Sequence, residues 1–87
     1  MKFEYDPNKS AANKEKHGID FEEAQELWND GRALEIEAAY KDERRFALLG
    51  RLQDLHWTAV YTYRGECIRL ISCRRSRKQE VQLYEQQ

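Results

Sequence analysis

His17 and His56 are the chain's only imidazoles, the side-chain type that titrates near neutrality and can move protons at physiological pH. His17 follows Lys16 and precedes Gly18, so it ends a helical stretch at an accessible turn, whereas His56 stands beside Trp57 in a strand and reads as structural. The second concentration of chemistry is cationic. Arg64, Arg69, Arg74, Arg75, Arg77 and Lys78 face a single anion, Glu66, between positions 64 and 78, and guanidinium groups grip phosphate with paired hydrogen bonds. Lys9 adds a cation upstream, and Tyr84 can stack on a base or supply a hydroxyl. No glycine-rich phosphate loop, paired-carboxylate site or Ser-His-Asp order is recognisable. Cys67 and Cys73 lack the spacing and the nearby histidine pair of a zinc site, so no metal is expected; on one strand they would share a face as small buried residues.

These side chains need elements to hold them. Phe3-Glu4-Tyr5 alternates as a short strand does. Asp6 can cap the free N–H groups of a helix and Pro7 has its φ preset for the first turn, so a helix runs to about His17 and stops at Gly18. Its apolar content is Ala11 and Ala12 only, which predicts a lightly packed helix with alanines toward the core and Lys9, Asn13, Lys16 and His17 on another face. Asp20 and Glu23 form a capping box, and Phe21, Ala24, Leu27 and Trp28 make an apolar stripe that Asp30-Gly31 ends.

From Ala33 the period changes to two. Strands are expected over 33–39, 44–52, 55–63 and 67–74, and their short connections force an antiparallel meander. In the last strand Ile68, Leu70, Ser72 and Arg74 alternate with Cys67, Arg69, Ile71 and Cys73. Ser76 and Gln79 open a final helix in which Val81 and Tyr84 pack inward. The result is a small α+β domain, an antiparallel sheet with two N-terminal helices and one C-terminal helix. The start of that last helix carries partial positive charge beside the cations at 74–78, an anion site for which phosphate is the natural ligand. The alternative is a solvated basic rim with salt bridges to Glu80 or Glu85.

A length of 87 residues permits one domain, here 1–87, and excludes a cofactor domain joined to a substrate domain. Hydrophobic residues at 40% and charged residues at 36% exclude a disordered or collagenous chain. No apolar run approaches the ~20 residues of a membrane span, and the start has no apolar signal core, so a cytoplasmic protein is expected. The net charge of −1 conceals two unlike halves: residues 1–50 carry 8 Lys+Arg against 12 Asp+Glu, and residues 51–87 carry 7 against 4. A cationic surface is therefore compatible with near-neutrality.

Asp6-Pro7-x-Lys9 followed by Asn13-x-x-Lys16-His17-Gly18-Ile19-x-Phe21-x-x-Ala24 resembles the N-terminal signature of the BrnT family of bacterial toxins. Glu43-Arg44-Arg45-Phe46, Gly50, Val60-Tyr61-Thr62, Arg69-Leu70-Ile71-Ser72-x-Arg74 and Glu80-x-x-x-Tyr84 follow that family's pattern in order. Two departures are Cys73, where the family usually has Ala, and Arg75-Ser76-Arg77, where Lys-Ala is commoner. The resemblance implies a RelE-like fold and a ribonuclease toxin of a type II toxin–antitoxin pair, one that lowers translation and arrests growth without a cofactor. It implies a BrnA-like antitoxin with a ribbon-helix-helix segment that alone contacts operator DNA, and a heterotetramer of two toxins and two antitoxins. For such a reaction His17, Lys16, Arg64, Arg74 and Tyr84 are the catalytic candidates, and Lys9, Arg69, Arg75, Arg77 and Lys78 the RNA-binding ones. A non-catalytic RNA-binding module and a protein-interaction domain remain the alternatives.

Overall fold

The computed structural model describes the backbone of residues 1–87 and the side chains of all but residues 39 and 40. The first strand, β1 (Lys2–Glu4), leads into α1 (Pro7–His17). Asp6 accepts from the Asn8 N–H at 2.8 Å, Pro7 opens the first turn, and Gly18 closes α1 at φ 84°, in the left-handed conformation that costs glycine little. A second helix, α2 (Phe21–Ala24), has the expected reciprocal cap between Asp20 and Glu23. It then tightens into a 3₁₀ turn over Gln25–Asn29. Three residues per turn stack Ala24 and Leu27 on the same side, and both are fully buried.

The sheet follows as β2 (Leu34–Tyr40), β3 (Glu43–Leu52), β4 (Leu55–Arg64) and β5 (Cys67–Arg75), an antiparallel meander, and α3 (Lys78–Glu85) ends the fold. The strand at the N-terminus adds to the far side of β5 in parallel, giving the order β1-β5-β4-β3-β2. The sheet is therefore mixed, because the β1 register (Phe3 opposite Ile68, Glu4 opposite Arg69) requires the chain to enter alongside its last strand.

Ile19, Phe21, Ala24 and Leu27 pack on one sheet face against Leu48, Trp57, Ala59, Tyr61, Ile68, Leu70 and Cys73. Trp28, half-buried, meets the rings of Phe3 and Tyr61 edge-on, each at 5.0 Å. The opposite face is covered at one end by α3, where Thr58 is fully buried, and is open elsewhere.

Two expectations fail, each for a physical reason. Strict alternation along β5 breaks at Ile71: Val60 pairs with Ser72 but Tyr61 pairs with Leu70, so Ile71 is a bulge. One extra residue flips everything after it to the other face. Cys73 consequently joins Ile68 and Leu70 in the core, Arg74 moves to the open face with Arg69, and the two free cysteines lie on opposite faces. Burial pushes the Cys73 thiol up to about 12, the adjacent Arg74 charge opposing only weakly, so it is an inert core group at neutral pH.

The second failure concerns α1. Ala11 and Ala12 are exposed, and the buried residues of the helix are Ser10 and Asn13. The Asn13 amide donates to the Cys73 carbonyl at 2.8 Å and to the Ile19 carbonyl at 2.7 Å, and its oxygen accepts the Cys73 N–H at 3.2 Å. Asn13 thus meets the Cys73 backbone as a neighbouring strand would, closing an edge of β5 where β1 has ended. Ser10 accepts the Phe21 N–H at 2.9 Å and ties α2 to the same helix. The helix is clasped by polar contacts rather than packed by alanine.

Candidate nucleic-acid interface

The clasp fixes how α1 runs. Its first residues line a groove with Arg69, Asn13 touches Cys73 and the helix ends at His17, so α1 travels alongside β5 in the same direction. Lys9 and His17 are about 12 Å apart on the helix, and Arg69 and Arg74 about 15 Å apart on the strand. Lys9 and Arg69 therefore belong to one end of this pair of elements, and Lys16, His17, Arg74 and Arg75 to the other.

At the first end lies a groove of about 410 Å³ on the open sheet face. Lys9, Arg45, Arg64 and Arg69 line it with only two carboxylates, Asp6 and Glu43. Glu4, from β1, braces two of these cations, with Arg69 at 3.1 Å and Arg64 at 3.6 Å, and Arg45 is held by Glu43 at 2.9 Å. Residues from α1, β3, β4 and β5 thus converge on one positively charged concavity. Sequence reading missed Arg45 as a member, although the Glu43-Arg44-Arg45-Phe46 segment carries it; which of the two arginines faces the groove is settled by strand register.

At the second end Arg74 is fixed and its neighbours are exposed. Arg74 donates to Glu80 through both terminal nitrogens, at 2.8 and 2.9 Å. Glu80 also accepts from Thr58 at 3.0 Å and from the Arg77 N–H at 2.7 Å. That last contact makes Arg77 the N-cap, one residue later than expected, and leaves Ser76 free to bond Thr58 at 2.8 Å. At the start of α3 the Arg77 N–H and the Arg74 guanidinium are both taken by the chain's own Glu80, the salt bridge of the alternative reading. Arg75 lies over the Trp57 ring at 5.6 Å, and the Arg77 and Lys78 side chains are exposed. Lys16 is exposed and His17 half-buried at the end of α1.

Tyr84 sits apart from both ends. Its ring is buried, stands edge-on to the His56 ring at 5.2 Å, and its hydroxyl donates to Asp30 at 2.7 Å. Burial, and then the Asp30 carboxylate, raise the hydroxyl above its ordinary value. Asp30 also accepts the Arg51 and Arg32 N–H groups, which outweigh the opposing effect of burial and hold its carboxyl low. Asp30 thus joins the turn after α2, the strand β3 and the helix α3, a role its reading as a mere helix stop did not reveal. Among the described residues no three His, Cys, Asp or Glu side chains converge in a manner that would hold a metal ion.

The Glu80 cluster has a measurable signature. The Arg74 guanidinium beside it, with the Arg77 N–H and Thr58, overcomes burial and holds the carboxyl at about 2, against an ordinary 4.5. Its folded value being the lower one, its stabilisation is complete above pH 4.5 and is lost as pH falls from there through 2. Denaturant titrations should show the wild type losing about 2 kcal/mol more stability between pH 5 and pH 2 than Glu80→Gln does. Parallel losses in the two proteins would contradict this assignment.

A family model described as the ribonuclease toxin BrnT of type II toxin–antitoxin systems matches residues 5–80. The matched span takes in both ends of the α1–β5 pair and Glu80, and stops before Tyr84. No curated protein matches the chain.

Proposed function

We propose, from the premise that the chain belongs to the BrnT family of ribonuclease toxins of type II toxin–antitoxin systems, that it cleaves RNA laid along α1 and β5, without a metal ion. The observation that carries this reading is the parallel course of those two elements. It distributes Lys9 and Arg69 to one end of a single track and Lys16, His17, Arg74 and Arg75 to the other, with Arg64 beside the first end and Arg77 and Lys78 beside the second. A polyanionic strand held at both ends is neutralised over its length, which is the main source of nucleic-acid affinity.

The scissile phosphodiester is assigned to the second end. There His17 and Lys16 exchange the protons and Arg74 meets the phosphate, while Arg75 lies on the other face of the strand, over Trp57. One group withdraws the 2′-hydroxyl proton, the 2′-oxygen attacks phosphorus, and the 5′-oxygen departs with a proton from a second group. The products are a 2′,3′-cyclic phosphate and a 5′-hydroxyl. Charge accumulating on the phosphoryl oxygens is met by the fixed Arg74 guanidinium, which needs no reorganisation at the moment of reaction. Lys9, Arg64 and Arg69 hold a flanking phosphate in the groove, Arg77 and Lys78 extend the track, and Tyr84 anchors α3 beneath it.

Membership in the family implies an antitoxin partner. We assign that partner to the BrnA-like, ribbon-helix-helix class, with operator DNA contacted only through it, in an assembly of two toxins and two antitoxins. No helix is long and apolar enough to cross a membrane. The proposed setting is the cytoplasm, where cleavage of RNA lowers translation, arrests growth and gives a RelE-like toxin its effect.

Purified protein incubated with RNA in EDTA is expected to generate new 5′-hydroxyl and cyclic phosphate ends. Salt-dependent binding with no new ends would replace this reading with that of a non-catalytic RNA-binding module.

A further inference from the structure

The Arg74–Glu80 pair joins the open sheet face to α3, and both side chains are largely withdrawn from solvent, 24% and 15% exposed. A surface arginine that binds a phosphate must first lose its rotamer freedom. Here that freedom is already gone. Each terminal nitrogen of Arg74 spends one proton on Glu80, and Nη1 spends its other on the Arg75 carbonyl at 3.3 Å. The guanidinium has five N–H groups, so two are left, on Nε and Nη2. Among the described residues neither has a hydrogen-bond partner. They lie along the same edge of the planar group, in the arrangement that takes two oxygens of one phosphate.

Glu80 is itself held. Thr58 has one hydroxyl proton and donates it to Glu80, so the contact between Thr58 and Ser76 has Ser76 as its donor. Ser76, Thr58 and Glu80 thus form a directed chain that ends on Arg74, and the Arg77 N–H adds a second restraint. The carboxylate cancels one positive charge, but Arg77 and Lys78 stay exposed at the start of the same helix.

We propose that Glu80 is a positioning residue for RNA: it fixes the Arg74 guanidinium at the α3 end of this sheet face so that the remaining Nε and Nη2 edge meets one phosphate of the bound strand. The proposal rests on the RNA reading above but not on cleavage, because phosphate binding can be measured by itself.

The test is the affinity for a 2′-O-methyl RNA, which cannot be cleaved, as a function of salt, for the wild type, Arg74→Ala, Glu80→Gln and the double variant, with folding verified by circular dichroism. Glu80→Gln is expected to weaken binding about five- to tenfold and to lower the slope of log affinity against log salt by about 0.7, the loss of one phosphate contact on a single strand. Arg74→Ala should do the same, and the double variant no more than Arg74→Ala alone. Arg74→Lys, which keeps the charge and loses the fork, should also weaken binding, and it stands in if Glu80→Gln fails to fold. Tighter binding by Glu80→Gln would show that the carboxylate competes with RNA, and additive losses in the double variant would show a merely structural role; either overturns the proposal. Binding of the 2′-O-methyl RNA by a wild type that also leaves unmodified RNA uncut would refute the ribonuclease reading and leave this one standing.

Discussion

His17→Ala is expected to lower the rate of RNA cleavage by roughly 10² to 10⁴, the range that a positioned proton-transfer group contributes, while leaving the affinity for RNA within about twofold. The side chain makes no hydrogen bond or ion pair among the described residues and is only half-buried, so its removal strands no polar partner. Its position suits the proton-transfer role proposed for it. It stands one turn beyond Asn13, and Asn13 grips the backbone of Cys73, the residue before Arg74. A variant at Arg69, at the opposite end, should behave in the contrary way, weakening binding and reducing its salt dependence while cleavage of bound RNA continues. Single-turnover kinetics at saturating protein separates the two effects. Full activity in His17→Ala would move the chemistry to another group on the track.

Asn13→Ala is expected to lower stability by about 3 kcal/mol. The substitution strands the Cys73 N–H, the Cys73 carbonyl and the Ile19 carbonyl, all at buried positions, and each unsatisfied group costs about 1–3 kcal/mol less whatever water can repair. For a domain of this size that corresponds to a fall in melting temperature of about 12 °C or more. Calorimetry checks the magnitude, and hydrogen exchange checks the cause: amides near Cys73 on β5 should exchange faster, while those in the middle of β3 keep their relative protection. A loss below about 1 kcal/mol would show that α1 is held by something other than this amide.

Local signals made much of the fold legible. Asp6-Pro7 and Gly18 bounded α1 to the residue, and Asp20 with Glu23 marked the next cap, because these residues act on their own backbone within a few positions. Strand periodicity likewise marked β2 to β5. The apolar–polar alternation of β5 slips at Leu70-Ile71, two apolar residues in succession, and resumes in the opposite phase at Ser72-Cys73-Arg74, a local signal of the bulge that a strict period of two passes over. What else stayed hidden depended on partners distant in sequence. Asn13 sits in a helix whose sequence looks solvated, and a mid-helix asparagine, a poor helix former, was the one hint that its amide was committed elsewhere. The parallel attachment of β1 had no local signal.

The candidate site was legible in composition but not in arrangement. The cations of β5 and of the start of α3 stood out by number, and at the helix start Glu80 takes up Arg74 and the Arg77 N–H as the salt-bridged alternative had it. The convergence of Lys9 with Arg45, Arg64 and Arg69 could not be read, since four separate elements build that groove.

The proposed function requires one RNA strand to occupy the whole α1–β5 track. Nuclear magnetic resonance of the labelled protein titrated with a short 2′-O-methyl RNA tests this. Saturable shifts are expected at both ends together, at Lys9 and Arg69 and at His17, Arg74 and Arg75, with little change along β2. Shifts confined to one end, or centred on β2, would contradict it.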